Sequence, residues 1–381
     1  MKFIHTSDWH IGRQLHNQSL LDDQRHVLSQ IVALAKTHEV DALVVAGDIY
    51  DRSVPPANAV ALLDEILNQV VKELGIKTIL IAGNHDGHER LGFASRQMQE
   101  SGLHITGPLT AKISPIKINS PSGEALFYPL PYAEPATVRT VFDCDAASHE
   151  AAMATLLAQV SDDDSQGLPK VVVSHCFLDG GSESDSERPL SIGGADKISP
   201  SLFNDFSYTA LGHLHGPQYK GAEHIRYSGS ILKYSFSEQH QNKSVTLVDI
   251  DAAGKASIEL LPLTPLRDVR IIEGELSKLL ADGIKDPQRE DYLMVRLSDK
   301  NAILDAMGKL RAVYPNVLHL ERTGLMAQSE QLAIRADHIK KGELEMFSDF
   351  FSQVAGDAMT DEQQALMVDI LDTLHKSEDN Q

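Results

Sequence analysis

The chain has 381 residues, 42% of them hydrophobic, two cysteines and a formal charge of −20. That composition excludes collagenous, disulfide-stapled and disordered chains, and at roughly 150 residues per domain it allows two or three domains with a sizeable core. The excess of acids argues against a general nucleic-acid coat protein, which would carry a basic stripe.

In chain order, the opening MKFIHTSDWH has neither the charged region nor the long apolar region of an export signal. With only two cysteines, the expected compartment is reducing and cytoplasmic. No run approaches the roughly 18 apolar residues of a membrane span, so no membrane partner is expected. Short β-branched runs at 3–4, 42–46, 78–82, 171–173 and 208–211 have strand length. Val27, Leu28, Ile31, Val32 and Leu34 recur at helical spacing, as do Leu62, Leu63, Ile66, Leu67, Val70 and Val71. Strands alternating with amphipathic helices predict an α/β core. Residues 179–187, DGGSESDSE, form a polar surface loop in this reading. After Leu211, runs at 227–230, 244–250 and 257–261 suggest short strands continuing the core in antiparallel fashion.

Near Pro262 and Pro265 the composition shifts. The next residues predict a small α/β unit: strand 268–272, helix 276–281, strand 292–297, helix 302–313 and strand 317–320. From Ile339 the chain is expected to be helical. Leu344, Phe347, Phe350, Phe351 and Val354 share one face, and Thr360 with Gln363 forms a capping box for a helix bearing Leu366, Ile370, Leu371 and Leu374. Residues 340–381 hold 3 Lys against 10 Asp and Glu, so this tail suits a protein partner better than DNA.

Chemistry concentrates directly behind the five strand-length runs of the first part: Asp8 and His10 in SDWH, Asp48 in AGD, Asn84, His85 and Asp86 in GNHD, His175 in SHC, and His213 and His215 in GHLH. If those strands share a sheet and most run parallel, all these residues gather at its carboxyl edge, where α/β folds place ligands. Mixed carboxylate, imidazole and amide donors suit first-row divalent metals. Seven or more donors exceed the needs of one ion, whereas two ions about 3.5–4 Å apart with a shared carboxylate account for the number. In D-x-H and H-x-H an extended backbone would send alternate side chains to the metals and turn Trp9 and Leu214 away.

The ordered set D-x-H, G-D, G-N-H-D, H, G-H-x-H resembles the calcineurin-like metallophosphoesterases. More narrowly, HTSDWHIG, VVAGDIYD, LIAGNHD, ALGHLH and YSGSILKYSFSE resemble the SbcD nucleases. The resemblance implies a sandwich of two mixed β-sheets flanked by helices over residues 1–264. A small capping domain would come next at 265–335, and a helical segment at 336–381 would dock on an SbcC-type coiled-coil ATPase.

Carried over to this chain, the resemblance implies one ion held by Asp8, His10 and His215, a second by Asn84, His175 and His213, and Asp48 bridging them. His85 would protonate the leaving oxygen, with Asp86 orienting it. Both ions would be Mn2+. The activity implied is cleavage of double-stranded ends and of hairpin or single-stranded DNA, in repair, recombination and replication, by a homodimer within a heterotetramer. Because the chain is acidic, Arg13, Arg52 and Arg90 are expected to share phosphate contact with the ATPase. Two other functions compete: a phosphodiesterase for small nucleotide esters, since the donors alone do not choose a substrate, and a scaffold without catalysis.

Overall fold

The computed structural model describes residues 1–164, 167–190, 196–323 and 343–378. The chain divides into two compact units, Met1–Asp268 and Val269–Gln381.

In the first unit the β-branched runs become strands β1 (Lys2–Thr6), β2 (Ala42–Val45) and β3 (Lys77–Ile81), joined by β4 (Leu103–Thr106) as a parallel set. Two further strands belong to the same sheet. β11 (Ser244–Ile250) pairs antiparallel with β1, and β12 (Ala256–Pro262) pairs antiparallel with β11, giving the order β12-β11-β1-β2-β3-β4.

The second sheet has the order β9-β10-β8-β7-β6-β5, built from β5 (Ile116–Ser120), β6 (Gly123–Leu130), β7 (Lys170–His175), β8 (Tyr208–Gly212), β9 (Gln218–Lys220) and β10 (Ala222–Tyr227). β6, β7, β8 and β10 run parallel, while β5 and β9 are antiparallel edges. The five motif-bearing strands therefore do not share a sheet: three lie in one and two in the other. β10 also ends at Tyr227 and runs parallel to β8, so 227–230 is not the antiparallel strand expected.

The sheets pack face to face. Phe3, Val44, Ile79 and Ile81 from one meet Phe127, Val171, Val173 and Ala210 from the other. Phe3 sits edge-on to Phe127 with ring centroids 5.3 Å apart, a pair worth about 0.5–1.5 kcal/mol beyond the area it buries. Helices cover the outer faces: α1 (Leu21–Thr37) buries Val27, Leu28, Ile31 and Ala35, and α2 (Ala57–Leu67) buries Leu62, Leu63 and Ile66. Beside the second sheet, α3 (Pro135–Phe142) and α4 (His149–Asp162) contribute Val138, Met153, Leu156 and Val160 to a core shared with Tyr128, Leu130 and Val172. Arg267 forks onto the buried Asp23 of α1 through two 3.1 Å bonds, which fixes the end of this unit. Breaking a buried pair of this kind costs about 3–5 kcal/mol.

In the second unit β13 (Val269–Gly274), β14 (Tyr292–Leu297) and β15 (Val317–Arg322) form a parallel sheet. Its core holds Leu279, Leu293, Val295, Leu310 and Val317, with α5 (Leu276–Gly283) and α6 (Ala306–Arg311) supplying the helical part. The expected helix at 302–313 is shorter because Asp305 sits at φ 50° and caps Gly308 with its own carboxylate. Helices α7 (Glu343–Ala355) and α8 (Asp361–Glu378) complete the chain's described elements. The capping box at Thr360 is present: Gln363 N–H donates to Thr360 Oγ1, and the Gln363 side chain accepts from Thr360 N–H. Ile339 and the division expected at residue 336 lie outside the described residues.

Candidate metal centre

Parallel pairing in register brings the carboxyl ends of β1, β2 and β3 level, Thr6 beside Val45 and Val45 beside Leu80. In the other sheet His175 is level with Gly212. Since the sheets face each other, their two carboxyl edges meet above the shared core, and residues distant in sequence converge there.

Asp8, His10 and His215 offer ligand atoms that lie within 4.8 Å of one another, as do Asp8, Asp48 and His175. Asp48 Oδ2 stands 3.6 Å from Nε2 of both His10 and His175, between the two groups. Asn84 Oδ1 is 2.9 Å from His175 Nε2, and the His213 ring centroid is 5.5 Å from that of His175. His10 and His215 face each other with Nε2 atoms 3.1 Å apart.

The backbone that achieves this is not extended. Asp8, His10, Asp48 and His213 have φ of 51°, 45°, 50° and 109°. Each carries a steric cost in the left-handed region that only surrounding contacts can offset. Asp8 N–H donates to Gly47 O and His10 N–H to Asp48 O, which tie the first motif to the second. Trp9 and Leu214 do turn into the core, fully buried. Glycines are needed here for room: a Cβ on Gly83 would stand 2.2 Å from Asp48 Oδ1, and one on Gly212 1.9 Å from Ala46 O.

Burial drives the pKa values of His10, His175 and His213 below the usual histidine range, so all three rings are neutral at pH 7 and able to offer a lone pair. Burial also raises the Asp8 carboxyl, reinforced by the charge of Asp48. His175 Nδ1 lies 2.9 Å from the Ala46 carbonyl, which can only accept, so the ring hydrogen is there. Its Nε2 lone pair therefore meets the amide oxygen of Asn84, two acceptors with no hydrogen to share. His10 Nδ1 is buried and has no hydrogen-bond partner among the described residues. The two facing acceptors of His175 and Asn84, with the Asp8 and Asp48 carboxylates close by, fit divalent cations, and a cation on His10 Nε2 would leave the ring hydrogen on the partnerless Nδ1.

His85 borders the group. Its backbone N–H donates to Asp48 Oδ1, its Nδ1 lies 2.9 Å from Asp51 O, and its Nε2 is 4.0 Å from Asp48 Oδ2. Asp86 does not orient that ring. Its carboxylate accepts from the backbone N–H groups of Ile49, Tyr50 and Gly83, and so clamps the loop after β2 to the loop after β3. Burial and the neighbouring Asp48 push its pKa up to about 7.

A cavity of about 600 Å³ opens beside His85, lined among others by Arg13, Arg52, Ser186, Glu187 and Arg188. Arg13 is already engaged there. It donates to Asp51 and to Ser186 O, and its guanidinium lies 5.2 Å from the Tyr234 ring centroid. Arg52 is 65% exposed, whereas Arg90 is exposed on the single helical turn His88–Leu91 and does not line the cavity.

The 179–187 stretch is not simply a surface loop. Ser186 is buried against His215 Nδ1 at 2.5 Å, and Glu187 accepts from His215 N–H. Behind them, Glu238 is fully buried. Burial alone would raise its pKa, yet Lys243 holds it well below the usual carboxylate range. Sequence reasoning left out Ser186, Glu187, Glu238 and Lys243. The available signal was an acid ending the YSGSILKYSFSE run, with a lysine five residues on.

Residues 1–217 match the family model for calcineurin-like phosphoesterases, and residues 265–355 match the one described as the type 5 capsule protein repressor C-terminal domain. A Staphylococcus epidermidis protein named as the D component of nuclease SbcCD is 36% identical over 321 residues, covering 84% of this chain and 85% of that protein. Among solved structures, TT1561 of Thermus thermophilus aligns over 68% of this chain and 98% of its own, with 16% identity and a TM-score of 0.38. A dimetal phosphatase from Danio rerio aligns over 69% of this chain and 99% of its own, with 9% identity and a TM-score of 0.40.

Proposed function

Because the chain belongs to the calcineurin-like phosphoesterases and, among them, to the SbcD nuclease family, we propose that it is the catalytic subunit of an SbcCD-type complex that cuts DNA at double-stranded ends and at hairpin or single-stranded sites. It is a metal-dependent hydrolase of phosphodiester bonds. The observation that carries the reading is Asp48 Oδ2, 3.6 Å from both His10 Nε2 and His175 Nε2.

Asp8, His10 and His215 are assigned to one ion, Asn84, His175 and His213 to the other, and Asp48 to both. A donor set this rich in imidazole favours Mn2+ over Mg2+. When bound, the ions supply an activated water and neutralise the phosphoryl oxygens. The chain supplies the rest. His85 gives its Nδ1 hydrogen to the Asp51 carbonyl, which aims Nε2 into the site. In its imidazolium form that edge delivers a proton to the departing oxygen. Asp86 holds the two loops that carry Asp48 and His85 in register. Arg52 and Arg188, at the cavity, are the guanidinium groups assigned to flanking phosphates, whereas Arg13 is committed within the protein.

The tail is assigned to docking on the SbcC-type ATPase, and the complex to a heterotetramer with two copies of this chain in the cytoplasm. Among the described residues no helix is long and apolar enough to cross a membrane. A phosphodiesterase for small nucleotide esters is less well supported, since it has no evident use for the second unit or the tail.

The test is hydrolysis of end-labelled linear and hairpin DNA in Mn2+, with and without the ATPase and ATP. Cleavage that disappears in Asp48→Asn is the expected result. Rapid hydrolysis of nucleotide esters with both DNAs left intact under every condition would overturn the assignment.

A further inference from the structure

Behind His215 lies a chain of buried polar groups that the hydrolytic reading does not use. Lys243 Nζ donates to Glu238 Oε2 at 2.6 Å, and Ser186 Oγ is 2.5 Å from Glu238 Oε1 and 2.5 Å from His215 Nδ1. The hydrogens in this chain can be placed by elimination. A carboxylate held against an ammonium can only accept, and Ser184 Oγ, 3.0 Å from Ser186 Oγ, gives its own hydrogen to Glu187, so the one hydroxyl hydrogen of Ser186 is directed at the nearer and charged Glu238. The Ser186 lone pair then faces His215 Nδ1, which must carry the ring hydrogen. In the neutral ring His215 Nε2 is then bare toward the cation site, 3.1 Å from His10 Nε2. Lys243 also donates to the carbonyl of His215 at 2.9 Å, so one ammonium anchors both the backbone and, through two relays, the ring.

We propose that Lys243, Glu238 and Ser186 are positioning residues that fix the tautomer of His215 and so keep its Nε2 available to a metal ion. The proposal rests on the assignment of His215 as a ligand. It has a consequence that a packing role lacks. In Glu238→Gln, which preserves shape, the Lys243 ammonium at 2.6 Å outweighs the neutral Tyr234 N–H at 3.2 Å from Oε1, so it attracts the amide oxygen and turns the NH2 toward Ser186. Ser186 then accepts, and its own hydrogen goes to His215 Nδ1 at 2.5 Å, the nearer acceptor compared with Ser184 Oγ at 3.0 Å. The ring hydrogen moves to Nε2 and points into the cation site. In Ser186→Ala the Nδ1 hydrogen loses its hydrogen bond and faces the Glu238 carboxylate only across 3.6 Å, so the same tautomer is favoured by charge but held less firmly. The isosteric change should therefore do more harm than the truncation.

The experiment uses the full chain. Mn2+ affinity is measured by competition with a fluorescent chelator, and the 15N resonances of the metal-free protein labelled at histidine report which nitrogen of His215 is protonated. The expected result is protonated Nδ1 in the wild type and in Ser186→Ala, and protonated Nε2 in Glu238→Gln. Mn2+ affinity at one site should fall about 10- to 100-fold in Glu238→Gln and less in Ser186→Ala. Ser186→Thr, which restores the hydroxyl, should bind as the wild type does. If Glu238→Gln does not fold, the serine pair decides: Ser186→Ala equal to Ser186→Thr in affinity overturns the proposal. So does a folded Glu238→Gln with wild-type tautomer and affinity. His215→Ala separates the two levels. Undiminished Mn2+ binding in that variant overturns the ligand assignment itself, whereas diminished binding there with normal binding in Glu238→Gln and Ser186→Ala overturns the relay alone.

Discussion

The Nε2 atoms of His10 and His215, on two buried rings, face each other at 3.1 Å. Without a cation, this pair is satisfied only if His10 lends its hydrogen to His215, which leaves His10 Nδ1 unbonded. That buried, unbonded nitrogen is a cost that a metal ion on His10 Nε2 would relieve by returning the ring hydrogen to Nδ1, and the same ion would change the protonation of the carboxyl groups around it.

Burial and the charge of Asp48 raise the Asp8 carboxyl, and the same two causes raise Asp86 to about 7, whereas burial already keeps His10, His175 and His213 neutral. A divalent ion favours the ionised carboxylate and has no hydrogen to displace from imidazoles that carry a single one. Mn2+ binding at pH 6 should therefore release protons from carboxyl groups, and the release should shrink as pH rises above 7. Calorimetric titration in buffers of different ionisation enthalpy measures this, and a binding enthalpy independent of buffer would contradict it.

Asp48→Asn is a clean probe of the shared carboxylate. Asn tolerates the φ of 50° found there and keeps an oxygen to accept from His85 N–H, so the loop should stay in place. What is lost is the charge between the two groups. Metal content measured on the purified variant in Mn2+ should fall and DNA cleavage should vanish. Full occupancy with normal turnover would exclude a bridging role.

His85→Gln separates proton transfer from metal binding. No atom of His85 is closer to the Asp48 carboxylate than its own backbone N–H at 2.9 Å, and its ring Nε2 stays 4.0 Å away. The variant should hold Mn2+ as the wild type does and lose a factor of about 10² to 10⁴ in the rate of cleavage. A parallel fall in metal content would make His85 a ligand instead.

How far the sequence went can be seen residue by residue. The β-branched runs announced their strands because burial on both faces of a parallel sheet demands continuous apolar stretches. The motifs behind them were visible because each interrupts such a run with a carboxylate, amide or imidazole. The conformation of Asp8, His10 and His213 was not visible, since a positive φ at a residue other than glycine is imposed by contacts from elsewhere, here the Gly47 and Asp48 carbonyls for the first motif. Ser186 lies in a stretch whose composition matches any solvated loop, and only its 2.5 Å approach to His215 reveals its place. Asp86, two residues from Asn84, could equally have served its own ring neighbour; three backbone N–H groups claimed it first.

The tail provides the last test. On α7 and α8, Phe350, Val354, Leu366 and Ile370 are 58%, 42%, 62% and 44% exposed. Apolar side chains repeated on two amphipathic helices at this exposure cost solvation unless something covers them. The acidic balance of residues 340–381 disfavours a phosphate backbone as that cover and leaves a protein groove as the better fit. Removing residues 340–381 should leave Mn2+-dependent cleavage of linear DNA by the isolated chain within about twofold of the wild type, because the donors all lie in the first unit. The same truncation should abolish co-purification with the SbcC-type ATPase and, with it, the ATP dependence of cleavage. If the truncated chain still co-purifies, docking uses another surface and the exposed apolar positions of α7 and α8 serve a different partner.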